Sequence, residues 1–128
     1  INTLEYDDSV GSFGTFTVSL NFSGLSGNAS AAHIHGFAAP GANAGVLAGL
    51  TFTPATSGMV TGVWTLTSSA QVEGLFDGLA YINLHSTAFP GGELRGQLTP
   101  IPEPSSFAAL AGVAVLGMVA SRRRSRAT

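Results

Sequence analysis

The chain contains no cysteine and no lysine among its 128 residues. Without cysteine, neither a disulfide framework nor a thiolate metal site can be built. Charge of either sign is scarce: Asp, Glu, Lys and Arg make up 9% of the residues, against about a quarter in ordinary globular domains. What charge there is lies unevenly. Before Pro102, Arg95 stands alone against Glu5, Asp7, Asp8, Glu73, Asp77 and Glu93, a net of −5. So acidic a body argues against nucleic-acid binding, which needs basic side chains to displace counterions. A Gly-x-Ser-x-Gly elbow, a phosphate loop and a dinucleotide fingerprint are also missing. No nucleophile stands beside a base, so we expect no enzymatic activity. The chain opens at Ile1 with no basic stretch leading into an apolar core. It reads as a fragment or a processed form whose signal peptide has gone.

Four of the five basic residues sit in the last seven positions, as Arg122, Arg123, Arg124 and Arg126. Ahead of them Phe107 to Ala120 carries no charge and no strongly polar group, and Ser105 to Ser121 is seventeen uncharged residues. As a helix, seventeen residues span roughly 25 Å, short of the ~30 Å hydrocarbon core by an amount that snorkelling arginines and local thinning can close. Arginines beside a span stay on the cytoplasmic side, which places the rest of the chain outside. Pro102 and Pro104 end upstream structure and keep the linker extended. Pro102-Glu103-Pro104, the apolar run and the terminal arginines together resemble the PEP-CTERM sorting signal of Gram-negative bacteria. That resemblance implies processing by an exosortase-type membrane peptidase in an organism that makes extracellular polysaccharide or biofilm.

The body alternates. Phe16, Val18, Leu20 and Phe22 are interleaved with Thr17, Ser19 and Asn21, and Val60, Gly62, Trp64 and Leu66 with Thr61, Val63 and Thr65. This is the period of a strand with one buried face. Further strands are expected at Ala31–His35, Val46–Phe52, Tyr81–His85 and Glu93–Thr99, with Leu4–Asp7 a remnant of one more. Val72, Leu75, Phe76 and Leu79 instead follow helical spacing. Ser68 with Gln71 supplies a cap and Gly78 a stop, predicting a short helix over Ser69–Asp77. Short strands separated by turns point to an all-β Greek-key, immunoglobulin-like or superoxide-dismutase-like sandwich with one helix, followed by a C-terminal transmembrane helix. The expected divisions are a β-domain over 1–100, a Pro/Ser linker over 101–106, the transmembrane helix over 107–121 and a basic cytoplasmic tail over 122–128.

Three segments carry a second resemblance: Ala32-His33-Ile34-His35-Gly36, Gly78-Leu79-Ala80-Tyr81-Ile82-Asn83-Leu84-His85-Ser86, and Phe89-Pro90-Gly91-Gly92-Glu93-Leu94-Arg95-Gly96-Gln97-Leu98. In this order they resemble the CHRD domain, named from chordin, over about Phe13 to Pro100. Members usually carry an earlier Asn/Gln-Glu-Val-Pro-Pro-like segment that this chain lacks, so part of the fold before Phe13 is expected to be missing. The resemblance implies an immunoglobulin-like or superoxide-dismutase-like β architecture and no particular biochemical activity.

All three histidines fall in these segments. His33 and His35 are two apart in a predicted strand, so both rings leave one face with Cβ atoms roughly 6.5–7 Å apart. His85 shares parity with Tyr81 and Asn83. If the two strands are neighbours, three imidazoles converge, a donor set suited to copper or zinc. The His-x-His pair is similar to part of the copper site of Cu/Zn superoxide dismutase, without that enzyme's fuller ligand set. The alternative is structural: His33 and His35 fix the Pro40–Gly45 connection and His85 the Pro90-Gly91-Gly92 turn. Glu93, Arg95 and Gln97 share a face, and Arg95 is expected to pair with Glu93, Asp77 or Glu73 in an exposed ion pair. Asp7-Asp8 reads as a turn or solvated strand end. The function expected is that of an exported, non-catalytic module of the cell surface or extracellular matrix, meeting polysaccharide or surface proteins. The other reading is an envelope protein that binds copper or zinc through His33, His35 and His85.

Overall fold

The computed structural model describes residues 2–102. The strands run in chain order as β1 (Thr3–Asp7), β2 (Thr15–Phe22), β3 (Ala29–His35), β4 (Val46–Gly49), β5 (Thr51–Phe52), β6 (Gly58–Thr65), β7 (Tyr81–Ser86), β8 (Leu94–Gln97) and β9 (Ile101–Pro102). One helix, α1 (Ser69–Phe76), lies between β6 and β7. They form two sheets, β5-β6-β2-β1-β9 and β4-β3-β7-β8. All pairings are antiparallel except β1 with β9.

The alternating pattern turns one face of each sheet inward. Tyr6, Phe16, Val18 and Trp64 from the first sheet meet Ile34 from the second and Leu75 from α1. Phe16, Ile34 and Leu75 are fully enclosed, and burying a side chain of this kind stabilises the fold by about 1.5–3 kcal/mol. Leu25, Ala32, Val60 and Leu84 form a second cluster.

Four elements depart from the sequence expectation. Leu4–Asp7 belongs to a full strand, since β1 pairs with β2 from Thr3↔Ser19 to Asp7↔Thr15. The single strand expected over Val46–Phe52 is two. β4 pairs with β3 and β5 with β6, so the chain crosses between sheets at Leu50, which packs against both clusters. β9 extends the first sheet into the residues expected to be linker, with Ile101 and Pro102 beside Glu5 and Tyr6; a proline is tolerated there because β9 is an edge. In α1, Phe76 leaves the core face and is 45% exposed.

The caps of α1 form as expected. The Ser68 hydroxyl accepts from Gln71 N at 3.2 Å, and Gly78 takes φ +76°. The Gln71 side chain reaches back one residue further than a capping box does, accepting from Thr67 N at 2.7 Å. Gly74, a poor helix former, has a packing reason: a Cβ there would stand 2.5 Å from the Phe37 ring. Among the described residues no helix is long and apolar enough to cross a membrane. The segment 107–121, Glu103, Pro104 and the four arginines from Arg122 to Arg126 lie outside the described residues.

Candidate metal centre

β3 and β7 are neighbours, with His35 opposite Tyr81, His33 opposite Asn83 and Ala31 opposite His85. The pleat sends Ala32, Ile34 and Leu84 into the core. It therefore sends His33, His35 and His85 together onto the outer face. Each is half-buried, and one ring nitrogen from each lies within 4.8 Å of the other two. His33 Nδ1 is 3.3 Å from His85 Nε2. The two nitrogens are hydrogen-bonded to each other here; bound tetrahedrally to one ion at about 2.0–2.1 Å they would be about 3.3–3.4 Å apart, so an ion could replace the shared proton with little movement.

Backbone carbonyls set the tautomers. His35 Nδ1 is 2.9 Å from Ala44 O, and His85 Nδ1 is 2.8 Å from Pro90 O. A carbonyl oxygen only accepts, so both Nδ1 atoms carry the proton and both Nε2 atoms present lone pairs. This is the arrangement in which metal-bound histidines are held by their outer partners. His35 Nε2 is moreover the one buried side-chain nitrogen or oxygen without a hydrogen-bond partner among the described residues. Burial, then His85, then His35 push the pKa of His33 below its ordinary 6.5. His33 therefore resists protonation, which favours its binding a cation.

A layer of side chains holds the Ala44 carbonyl in place. The Tyr81 hydroxyl accepts from Ala44 N at 2.8 Å and donates to Ala44 O at 3.2 Å. Its ring is buried between the His35 imidazole, stacked at 5.1 Å and 13°, and the Arg95 guanidinium, 3.5 Å from the ring centre. Arg95 donates to Asn43 Oδ1, to Ala39 O and to Gln97 Oε1. Gln97 donates to Ala38 O and Gly78 O. The loop 36–45 is thus strapped across the outer face by three side chains from β7 and β8.

His33, His35 and His85 come together as strand parity implied. The ion pair expected for Arg95 is replaced by neutral oxygens and a tyrosine ring. Glu93 instead accepts from Ser26 N at 2.8 Å and from the Ser86 hydroxyl at 2.7 Å, tying the loop before β3 to the end of β7. Asp7 caps a turn, accepting from the backbone and side chain of Ser9. Of the sorting residues, Pro102 lies in β9. Tyr81, Arg95 and Gln97 were not singled out as supports of the site, although parity had placed Tyr81 on the face of His85. A separate groove between the sheets is lined mainly by Leu20, Phe22, Val60, Ile82, Leu84 and Leu94, together with Asn21 and Arg95, whose guanidinium is engaged by Asn43, Ala39 and Gln97.

A family model of the CHRD domain matches residues 3–98, and a model of the PEP-CTERM protein-sorting motif matches residues 100–124. The first match takes in β1, ahead of where the quoted motifs had suggested the domain begins. No curated protein and no solved structure matches the chain.

Proposed function

This chain belongs to the CHRD domain family and ends in a PEP-CTERM sorting motif, and on that premise we propose an exported, non-catalytic module that binds one copper or zinc ion through His33, His35 and His85. The sorting motif supports export, membrane anchoring and processing by an exosortase-type enzyme. We assign the anchor to residues 107–121, with Arg122, Arg123, Arg124 and Arg126 on the cytoplasmic side. The processed protein then works at the cell surface or in the extracellular matrix.

The observation that carries the metal reading is the buried, partnerless Nε2 of His35. Leaving such an atom unsatisfied costs about 1–3 kcal/mol, and a cation shared with the neighbouring lone pairs removes that cost. Imidazole nitrogen suits both copper and zinc. A bound ion would supply a positive centre with a coordination position left for water or a small ligand. The protein's own part is to disfavour the charged form of His33, hold His35 and His85 by loop carbonyls and shield one donor from solvent.

The bonds from His35 to Ala44 and from His85 to Pro90 also fit a second reading. There the histidines only brace two loops, and the module meets polysaccharide or surface proteins through its sheets. Titration separates the two. The full chain, purified in detergent and stripped of metal, should bind one equivalent of Cu(II) or Zn(II). His33→Ala, His35→Ala and His85→Ala should each weaken binding by more than about tenfold. Binding weaker than about millimolar, or indifferent to all three substitutions, would sink the metal reading.

A further inference from the structure

Where the chain leaves the domain gives one end of the sandwich a direction. β9 runs parallel to β1, with Pro102 beside Tyr6, so the chain exits along the course that β1 takes toward the 8–14 turn. β6 ends at that same end, where Thr65 stands opposite Thr15, and α1 follows it. Apolar side chains are exposed there: Val10 at 49%, Phe13 at 37% and Phe76 at 45%. Tyr6 joins them, its ring packed edge-on to Phe76 at 5.1 Å and its hydroxyl donating to Phe13 O.

The linker is short. From Pro102 to the apolar stretch beginning at Phe107 is five residue steps, at most about 18 Å of chain. The headgroup layer takes up about 5–8 Å of that. While the tail is anchored, this end of the domain is therefore held at the lipid surface, and the 8–14 turn lies further along the same course.

We infer that Val10, Phe13 and Phe76 form a membrane-contacting tip, which seats the domain on the outer surface of the bilayer before processing. The partner is a zwitterionic lipid surface, because Asp7, Asp8 and Asp77 lie at the same end and disfavour anionic headgroups. The three histidines lie on a sheet face, His35 nearest this end opposite Tyr81 and His85 furthest from it, so seating leaves that face at the flank.

With no native cysteine, single labels read cleanly. Val10→Cys, Phe13→Cys and Phe76→Cys are made in the full, uncleaved chain, each carrying an environment-sensitive fluorophore, in phosphatidylcholine/phosphatidylethanolamine nanodiscs. Phe89→Cys is the control, because Phe89 is as exposed, at 52%, and follows β7 at the opposite end. Blue-shifted emission quenched by nitroxide-bearing lipids at the three tip positions, and absent at Phe89, is the expected result. Water-like emission at all four positions overturns the inference. So does a blue shift that lipid nitroxides fail to quench, because the tip would then be covered by protein.

Discussion

Tyr81→Phe removes one oxygen and keeps the ring, so its stacking on His35 and its contact with Arg95 survive. What goes is the pair of hydrogen bonds to the Ala44 peptide. Each neutral bond is worth about 0.5–1.5 kcal/mol net, so the metal-free domain should lose about 1–3 kcal/mol. For a domain of this size that lowers the melting temperature by roughly 4–12 °C. Ala44 O is also the acceptor that keeps the proton on His35 Nδ1. With Ala44 released, His35 no longer has to present Nε2, and losing an outer partner of this kind typically costs 10–100-fold in metal affinity. Two measurements check the reasoning: thermal unfolding of the metal-free variant, and Cu(II) and Zn(II) titration below its melting point. Ring ¹⁵N shifts of His35 report the tautomer directly. If Tyr81→Phe binds metal like the parent chain while His35→Ala does not bind, the carbonyl does not control the ligand.

The lowered pKa of His33 means that the unfolded chain takes up its proton before the folded one does. Metal-free stability should therefore be full above about pH 6.5 and decline as pH falls through the lowered value, and His33→Asn should flatten that part of a melting-temperature profile. Glu93 is shifted the same way from its ordinary 4.5, first by the Ser86 hydroxyl and further by Ser26. Its contribution is thus present above pH 4.5 and lost in more acidic solution; Glu93→Gln should remove that acid limb without altering stability's trend near neutrality. Gly14 has φ +83°, and a Cβ there would stand 2.6 Å from the Tyr6 hydroxyl. Gly14→Ala should cost about 2–5 kcal/mol in denaturant unfolding, from backbone strain and overpacking together.

The strands were legible because each sheet has one wet face, and alternation records that directly. β2 and β6 show it most clearly. What alternation does not carry is the partner of each strand. Nothing in Val46–Phe52 says that its two halves join different sheets, since both halves look apolar and extended. The two residues of β9 had no periodicity to show, and two prolines nearby argued for a linker. In the site, parity put His33 and His35 on one face, and His85 on the face of Tyr81. The adjacency of β3 and β7 was the missing step. The outer partners were illegible for a plainer reason. Ala44 and Pro90 contribute carbonyl oxygens, which every residue has, so no residue type marks them. Arg95 misled for the same reason: its partners include Ala39 O and the Tyr81 ring, whereas sequence alone offered only carboxylates.

The missing cysteines and the uneven charge bear on the same site. Three neutral imidazoles leave the full charge of a divalent ion uncompensated by ligands. Here it would lie in a body with a net charge of −5 before Pro102, whose long-range field favours a cation. With no thiolate among the ligands, the donor set contains nothing that an oxidising exterior would convert to a disulfide. Such an ion would also tie two paired strands to the loops beyond them. His33 and His35 come from β3 and His85 from β7, while the outer nitrogens of His35 and His85 grip the 36–45 loop and the 87–92 turn. At a hundred times its dissociation constant a ligand adds about 2.7 kcal/mol to folding. Here that gain would be concentrated where the two loops meet the sheet, so metal content would set how firmly the outer face keeps its shape for whatever it meets outside the cell.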